Sequence, residues 1–412
     1  MLHHWAFFLS NNSNKVSLIQ QLLRGKVSNV LPVENELEGA VFSPISLQSF
    51  LEEEERHEQS GITQQTHRST RSLSSGEQKK ALLNFILSQQ PAFIILDNPF
   101  DNLDVASQAS LKSTLQDVAK HTSIIQLINR KTDVLPFITH AASMDERNHI
   151  IYHHDLNTYL AIHRDEPVFV GKVPPPIREY NLLGKELVRF HNVSVNYDER
   201  PILNNINWTL NAGEFWQLRG PNGSGKTTML TMIAGDNPKA YGQDLMLFGR
   251  KKGTGETVWE IKDKIGYLTP SMTDLFSTQH TVLQMILSGF YDSVGLYNKP
   301  SEWQEKLALE WLQLMEMLHL RKAVFRNISL GQQRMVLIAR AMVKHPPLLI
   351  LDEPIAGLDD HNASLVIALI NKVAAESTTA ILYVSHRSEA GLMPQFTYEL
   401  TPTENGSVGK VL

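Results

Sequence analysis

The chain has 412 residues, 42 % apolar and 20 % charged, a globular composition that excludes disordered, collagen-like and low-complexity classes. Cysteine is absent, which removes disulfide frameworks, thiolate metal sites and cysteine nucleophiles. Thirty-eight Lys and Arg against 43 Asp and Glu leave a net charge of −5, so no global field draws in polyanions.

Taken in chain order, MLHHWAFFLSNN has only a short apolar core and no basic n-region, so it is not a secretory leader. No later apolar run approaches the length of a membrane span. A cytoplasmic soluble chain is expected, peripheral to a membrane only through a separate partner. WAFFLS reads as a buried strand ahead of the loop LSNNSNKV, and LEEEERHE, Leu51 to Glu58, as a solvated helical face. From Leu73 to Asp104 a Ser-x-Gly turn opens a helical stretch, Pro91 follows, and a buried strand FIILD ends in Asp97. SIIQLINR is a further strand. Pro174, Pro175 and Pro176 mark a short, extended and fairly stiff connector. LVRFHNVSVNYDERPILNNINWTLNAGE then alternates strands and turns, a region the first half lacks. Either it was lost there or the true start lies upstream. GRKKG, with Arg250 to Lys252, reads as a solvated turn. Trp303, Trp311, Met315 and Leu318 fall at helical spacing and read as core, as do Met229 and Met232. His3–His4 and His153–His154 lack the spacing and carboxylate partners of a metal site.

The chain repeats itself. ISLGQQRMVLIARAMVKHPPLLILDEPIAGLD, Ile328 to Asp359, aligns without a gap on the stretch from Leu73 to Asp104. Gly76 and Gly331, Asp97 and Asp352, and Asp104 and Asp359 are each 255 residues apart. A repeat this long means two related domains rather than a solenoid. Residues 1–165 are expected as the first, 166–185 as the connector and 186–412 as the second. Strands alternating with helices predict the α/β class, each domain a mainly parallel sheet flanked by helices.

FWQLRGPNGSGKTTMLTMIAG carries Gly220, Asn222, Gly223, Gly225, Lys226, Thr227 and Thr228 in the pattern G-x-x-x-x-G-K-[ST], after a strand and before a helix. Backbone N–H groups of such a loop wrap phosphates where side chains would clash. The helix N-terminus adds partial positive charge. Lys226 supplies a point charge, and the Thr227 hydroxyl suits Mg²⁺. LLILDEP then ends a buried strand in Asp352, placed to hold the Mg²⁺ water shell, with Glu353 beside it to orient an attacking water. His386 ends the next strand, at the spacing of a γ-phosphate sensor.

The order of loop, S-x-G-Q-Q, LDEP, GLD and SH resembles that of ATP-binding cassette (ABC) ATPases over essentially the whole chain. The resemblance implies two P-loop NTPase domains paired head to tail, Mg²⁺-dependent ATP hydrolysis, and ATP clamped between one domain's loop and the other's signature. It places Tyr197 where an aromatic stacks on adenine. It makes Ser329, Gly331 and Gln332 one signature and Ser74, Gly76 and Glu77 the other. Asp359 matches the D-loop and His386 the switch histidine. More narrowly, YDERPILNNINW, GDNPKAYGQDLMLFGRKKGTGETVWEIKDKIGY and LSGFYDSVGLY resemble tandem ABC proteins of the molybdate-transport-associated, photorepair type.

Against the family pattern the first domain is eroded. Leu9, Asn12 and Asn14 stand where glycines belong, and Val16 where the Mg²⁺-binding hydroxyl belongs. Lys15 and Asp97 remain, Asn98 replaces the glutamate and Arg130 the histidine. Asn can hydrogen-bond a water but cannot take its proton. In the second signature, bulky Leu330 stands where the family prefers Gly. The expectation is one competent site, joining Lys226, Thr227, Asp352, Glu353 and His386 with Ser74 and Gly76. The resemblance implies an accessory ATPase of a metal-oxyanion transport system with a permease partner. Against it, Pro270 stands at the coupling glutamine after IGYL, so ordinary coupling through that residue cannot operate. The segment from Ser271 to Asn327 still reads as the helical subdomain that would meet a partner. The alternative is a soluble ABC ATPase acting on ribosomes or nucleic acid. The net charge, the short connector and the eroded site weigh against that.

Overall fold

Runs such as FFL, FIIL, LLIL and AILYV are apolar at consecutive positions, the pattern of strands covered on both faces. The computed structural model describes residues 2–27, 30, 38–57, 62, 69–70, 73–145, 147–162, 167–176, 178–276 and 279–412. Glu58 of the acidic run, and Glu166 and Ile177 of the expected connector, lie outside them. The chain divides into two units. One is Met1–Asp165 with Gly357–Asp360, the other Glu166–Ala356 with His361–Leu412.

The first unit runs β1 (Trp5–Phe8), α1 (Lys15–Leu23), β2 (Gly39–Phe42), α2 (Pro44–His57), α3 (Ser75–Ser88), β3 (Phe93–Asp97), α4 (Val105–Val118), β4 (Ser123–Ile128), β5 (His140–Met144), β6 (Ile150–His153) and α5 (Leu156–Ala161). Its sheet has the order β2-β3-β4-β1-β5-β6, parallel except for the antiparallel β5–β6 pair. Alternate residues enter different cores. Trp5, Phe7, Phe93 and Ile95 pack with Leu18 and Leu22 of α1. Ala6, Phe8, Ile94 and Leu96 pack with Leu82, Leu83 and Leu115 of α3 and α4. Every side chain of β1 and β3 is thus buried on one face or the other, which explains the unbroken apolar runs FFL and FIIL.

The second unit contains β7 (Glu186–Tyr197), β8 (Arg200–Asn211), β9 (Phe215–Arg219), α6 (Lys226–Ile233), β10 (Leu245–Leu247), β11 (Arg250–Lys251), α7 (Val258–Asp263), β12 (Ile265–Leu268), α8 (Met272–Leu275), α9 (Val282–Ser288), α10 (Glu302–Leu314), α11 (Leu330–Met342), β13 (Leu348–Asp352), α12 (Asp360–Glu376), β14 (Ala380–Ser385), β15 (Phe396–Thr401) and β16 (Val408–Val411). Its main sheet, β12-β13-β14-β9-β15-β16, repeats the first unit's order with the same single antiparallel pair at the end. A four-stranded antiparallel sheet, β11-β10-β7-β8, is additional, without a counterpart among the first unit's described residues. The expected α/β class with mainly parallel sheets holds for both units. Each loop of interest therefore leaves the carboxyl end of a central parallel strand, where such sheets place ligands.

Two local expectations change. Lys252 is not on a solvated turn: its side chain is fully buried, 3.3 Å from Glu256 and over the Tyr241 ring. The turn that follows β11 folds the lysine inward, while Arg250 and Lys251 on the short strand itself stay exposed. Trp303 and Leu318 are 50 % and 39 % exposed, while Trp311 and Met315 are buried. Trp303 sits in the first turn of α10, and Leu318 lies beyond its end, so neither shares the buried face. The proline-rich segment packs on the second unit. Val173 N–H donates to Glu376 (2.8 Å) and Arg178 pairs with Asp263 (2.7 Å).

Candidate functional site

In the second unit β9 delivers the chain to the glycine loop and α6 takes it away. Two glycines are required by geometry. A Cβ on Gly220 would lie 2.6 Å from Ser224 Oγ and 2.8 Å from the Leu400 carbonyl. Gly225 has φ +91°, and a Cβ there would meet Leu203 Cδ2 at 2.6 Å. Gly225 is also the N-cap of α6, and no side chain caps that end. The N–H groups of the first turn therefore face the loop, a ready anion site. Lys226 Nζ bends over the loop and donates to the carbonyls of Gly220 (2.7 Å) and Pro221 (3.0 Å). Asn222, Gly223, Gly225, Lys226, Thr227, Thr228 and Glu353 line one cleft of about 300 Å³ together with Arg200 and Ile202.

Asp352 closes β13 and Glu353 follows with φ +45°. Such a backbone costs roughly 1–3 kcal/mol in a non-glycine residue and persists only when its surroundings over-determine it. Here Glu353 N–H donates to Val384 O at 2.9 Å, locking the turn to β14. The same strand end carries His386, whose Nδ1 is hydrogen-bonded to Glu353 Oε1 at 3.1 Å. Gln217 of β9 reaches across to Ser385 Oγ (2.9 Å) and Arg387 O (3.0 Å), fixing the segment that holds the histidine. Burial pushes the Asp352 carboxyl up to about 6, Glu353 adding to this and Lys226 opposing it. Burial also works to raise Glu353, but the His386 hydrogen bond and the charges of His386, Lys226 and Arg387 win and hold it below the usual range. Two adjacent carboxyls are thus pushed apart, and the one lining the cleft stays ionised.

Tyr197 does not line that cleft. It ends β7, 40 % exposed, its hydroxyl accepting from Asn237 Nδ2 (2.8 Å) and Lys239 lying 5.8 Å over its ring. Arg200 and Ile202 went unread in the sequence. They follow Tyr197 in NYDERPIL, and the β7–β8 reversal that turns them toward the loop was the signal available. The loop after β12 is tied to α11, Arg334 donating to Pro270 O (3.2 Å) and Thr273 Oγ1 (2.9 Å).

Ser74 and Ser329 are helix N-caps. Each accepts from the N–H three residues on and is met by that residue's side chain, Glu77 or Gln332, in a capping box. A Cβ on Gly76 would lie 2.9 Å from Ser107 Oγ, and one on Gly331 2.0 Å from Asn362 Oδ1. These glycines let each signature helix approach the helix after the D-loop. Leu330 is half-buried.

The corresponding loop of the first unit is filled by its own protein groups. Asn14 caps α1 by accepting from Ser17 N–H, the role left open at Gly225. Asn14 N–H donates to Asn148 Oδ1 (2.7 Å), Ser10 N–H to Ser13 Oγ (3.0 Å) and Asn11 N–H to Asp359 Oδ2 (2.7 Å). Lys15 Nζ pairs with Asp97 at 2.8 Å, and Val16 is 59 % exposed. Asn98 repeats the left-handed backbone of Glu353, φ +42°, yet its side chain accepts from Asn129 N–H (3.2 Å). Among the described residues no group of three or more His, Asp or Glu could hold a metal, and no helix is long and apolar enough to cross a membrane.

The ABC transporter family description matches residues 203–356. The ABC transporter ATP-binding protein ModF of Escherichia coli is 38 % identical over 81 % of this chain and 70 % of its own length. An uncharacterized ABC transporter ATP-binding protein of Schizosaccharomyces pombe is 32 % identical over 80 % and 68 %. Among solved structures, a complex of the archaeal ribosomal stalk protein aP1 with the ribosome recycling factor aABCE1 matches with TM-score 0.62 and 15 % identity, over 99 % of this chain and 85 % of that one. At that identity the likeness shows the fold.

Proposed function

The chain belongs to the ABC transporter ATP-binding family, as an ATP-binding and ATP-hydrolysing enzyme, and we propose on that premise that hydrolysis takes place at the second unit's loop alone. The observation that carries the reading is the convergence of Lys226, Thr227 and Glu353 on one cleft, with His386 hydrogen-bonded to the glutamate. The N–H groups ahead of α6 and Lys226 bind the triphosphate. Ionised Glu353 orients the attacking water and takes its proton, and His386 holds the carboxylate and senses the γ-phosphate. Tyr197 is assigned to the adenine from the family pattern. The donor set suits Mg²⁺, pairing the exposed Thr227 hydroxyl with the Asp352 carboxylate, both hard oxygen ligands. When bound, the ion neutralises charge on the β- and γ-phosphates.

Ser74, Gly76 and Glu77 of the first unit are proposed as the signature that closes over this nucleotide in a head-to-tail pair. The first unit's own loop is proposed not to hydrolyse ATP, because Asn98 cannot act as a base and Lys15 is committed to Asp97. The biological role is proposed as the accessory ATPase of a molybdate-type metal-oxyanion transport system with a separate permease. The ModF relative supports that role, and co-purification with a permease tests it.

The direct experiment is steady-state ATP hydrolysis by the Glu353→Gln variant. The amide keeps shape and hydrogen bonding but cannot accept a proton, so kcat falls by roughly 10²–10⁴ while ATP binding is kept. Wild-type turnover in this variant would end the proposal.

A further inference from the structure

We infer that Gln217 of β9 is a positioning residue for hydrolysis, gripping the chain on both sides of His386 so that the imidazole stays on Glu353. Every residue involved belongs to the second unit. The inference rests on the reading of Glu353 as the residue that orients and deprotonates water.

β9 is FWQLR, and strand alternation sends Trp216 and Leu218 into one core. Gln217 points to the opposite face and is 4 % exposed. A buried amide costs free energy unless its hydrogen bonds are made. Here Nε2 donates both to Ser385 Oγ (2.9 Å) and to Arg387 O (3.0 Å). Ser385 Oγ itself donates to Arg387 O at 2.6 Å, so the groups close on one another. One residue further on, Ser388 Oγ accepts from Arg219 Nη1 (2.9 Å), and Arg219 is fixed in turn on Glu399 Oε1 (2.7 Å).

His386 lies between the points that Gln217 grips. The pairing of β14 with β9 ends at Ser385. Beyond it, side chains of β9 take over from the strand ladder. The His386 ring places Nδ1 at 3.1 Å from Glu353 Oε1, and an ionised carboxylate can only accept, so the ring donates from Nδ1. That bond depends on where the backbone from 385 to 387 lies. Gln217 does not line the nucleotide cleft, so it acts on the reaction only through its neighbours. The first unit supplies the contrast. The strand ahead of its own loop, WAFF, carries no amide or hydroxyl, and Asn98 stands in place of the glutamate. An amide thus precedes the loop only in the unit that keeps the glutamate. A displacement of about 1 Å near a reacting group can lower a rate about 100-fold, so a loosened His386 shows in kcat rather than in binding.

The test is steady-state ATP hydrolysis by the full chain with thermal unfolding alongside. Gln217→Leu keeps the bulk and removes the donor. It is expected to lower kcat at least about tenfold with KM for ATP within about twofold. Burial works to raise the Glu353 carboxyl, and the His386 bond and charge hold it below its usual range. The acid limb of the kcat profile therefore moves to higher pH when the ring comes loose. The other charged groups beside Glu353 are Asp352, Lys226 and Arg387. Of these only Arg387 borders the grip, and its withdrawal acts in the same direction. In a His386→Ala background Gln217→Leu is expected to cost no more than about a further twofold, since its effect passes through the ring. A full kcat in Gln217→Leu overturns the inference, as does a raised KM with kcat unchanged, an acid limb that stays in place, or an undiminished loss in the His386→Ala background. If Gln217→Leu does not fold, Ser385→Ala decides. It opens the same grip by removing one hydroxyl, and wild-type kcat there overturns the inference. An active Glu353→Gln would instead sink the underlying reading, which separates the two failures.

Discussion

Gly225→Ala probes how the cleft is built, and its cost can be worked from two terms. The first is conformational. At φ +91° an alanine is held in left-handed backbone, at about 1–2 kcal/mol. The second is steric. The new methyl would sit 2.6 Å from Leu203 Cδ2 and 3.2 Å from Ile202 Cγ2, and Leu203 is locked in the core with Trp208, Leu218 and Leu400. Overpacking of this kind costs about 1–3 kcal/mol. Together the terms reach roughly 2–5 kcal/mol, and at about 2–4 °C per kcal/mol the melting temperature of the second unit falls by roughly 4–20 °C. The assay is differential scanning calorimetry without nucleotide, which removes binding from the measurement. Gly223→Ala is the internal control. It is also left-handed, φ +76°, but a Cβ there has nothing within 4 Å, so only the conformational term applies. Equal melting temperatures for the two variants would refute the claim that Leu203 dictates a glycine at position 225.

Other outcomes follow from the same geometry. Titration with a labelled ATP analogue is expected to show about one tight site per chain, and two equal sites would contradict the first unit's self-filled loop. Arg200→Ala, at the cleft wall, is expected to raise KM for ATP several-fold with little change in kcat, because the residue lines the site without touching Glu353 or His386 in the described contacts. His345 is buried beside Trp311, and burial holds its pKa down to about 4 against a hydrogen bond with the Pro174 backbone. The folded state therefore binds fewer protons than the unfolded one, for which the imidazole titrates near 6.5. Its contribution is fully present above pH 6.5 and is lost as pH falls toward 4, by about 3 kcal/mol in all. His345→Gln should flatten the acid limb of a denaturation series; an unchanged slope would show that the ring is not the titrating group.

Much of this protein could be read before any coordinates. The unbroken apolar runs FIILD and LLILD required strands covered on both faces, and hence parallel sheets under helices. The spacing of Gly220, Gly225, Lys226 and Thr227 named a phosphate loop, because few other backbones need two glycines and a lysine at that interval. The 255-residue offset exposed the tandem repeat, and comparing the copies exposed Asn98 and Val16 as losses. These features are local: each depends on a few consecutive residues and on periodicity.

What escaped the sequence depends on which distant groups come to lie side by side. Lys252 looked like its exposed neighbours until Tyr241 and Glu256 closed over it. Trp303 had helical spacing with Trp311, but spacing ranks residues along a face and does not say what covers its first turn. Arg200 became part of the cleft only because β7 and β8 pair and reverse beside the loop. Asn11 and Asp359 are hydrogen-bonded across 348 positions of sequence, a pairing that no local pattern encodes. Composition and periodicity determined the layers and the loop, since backbone sterics and apolar burial act within a few residues. Tertiary structure alone decided where each polar group found its partner, since a hydrogen bond is made by proximity in space and the chain brings remote residues together only when it folds.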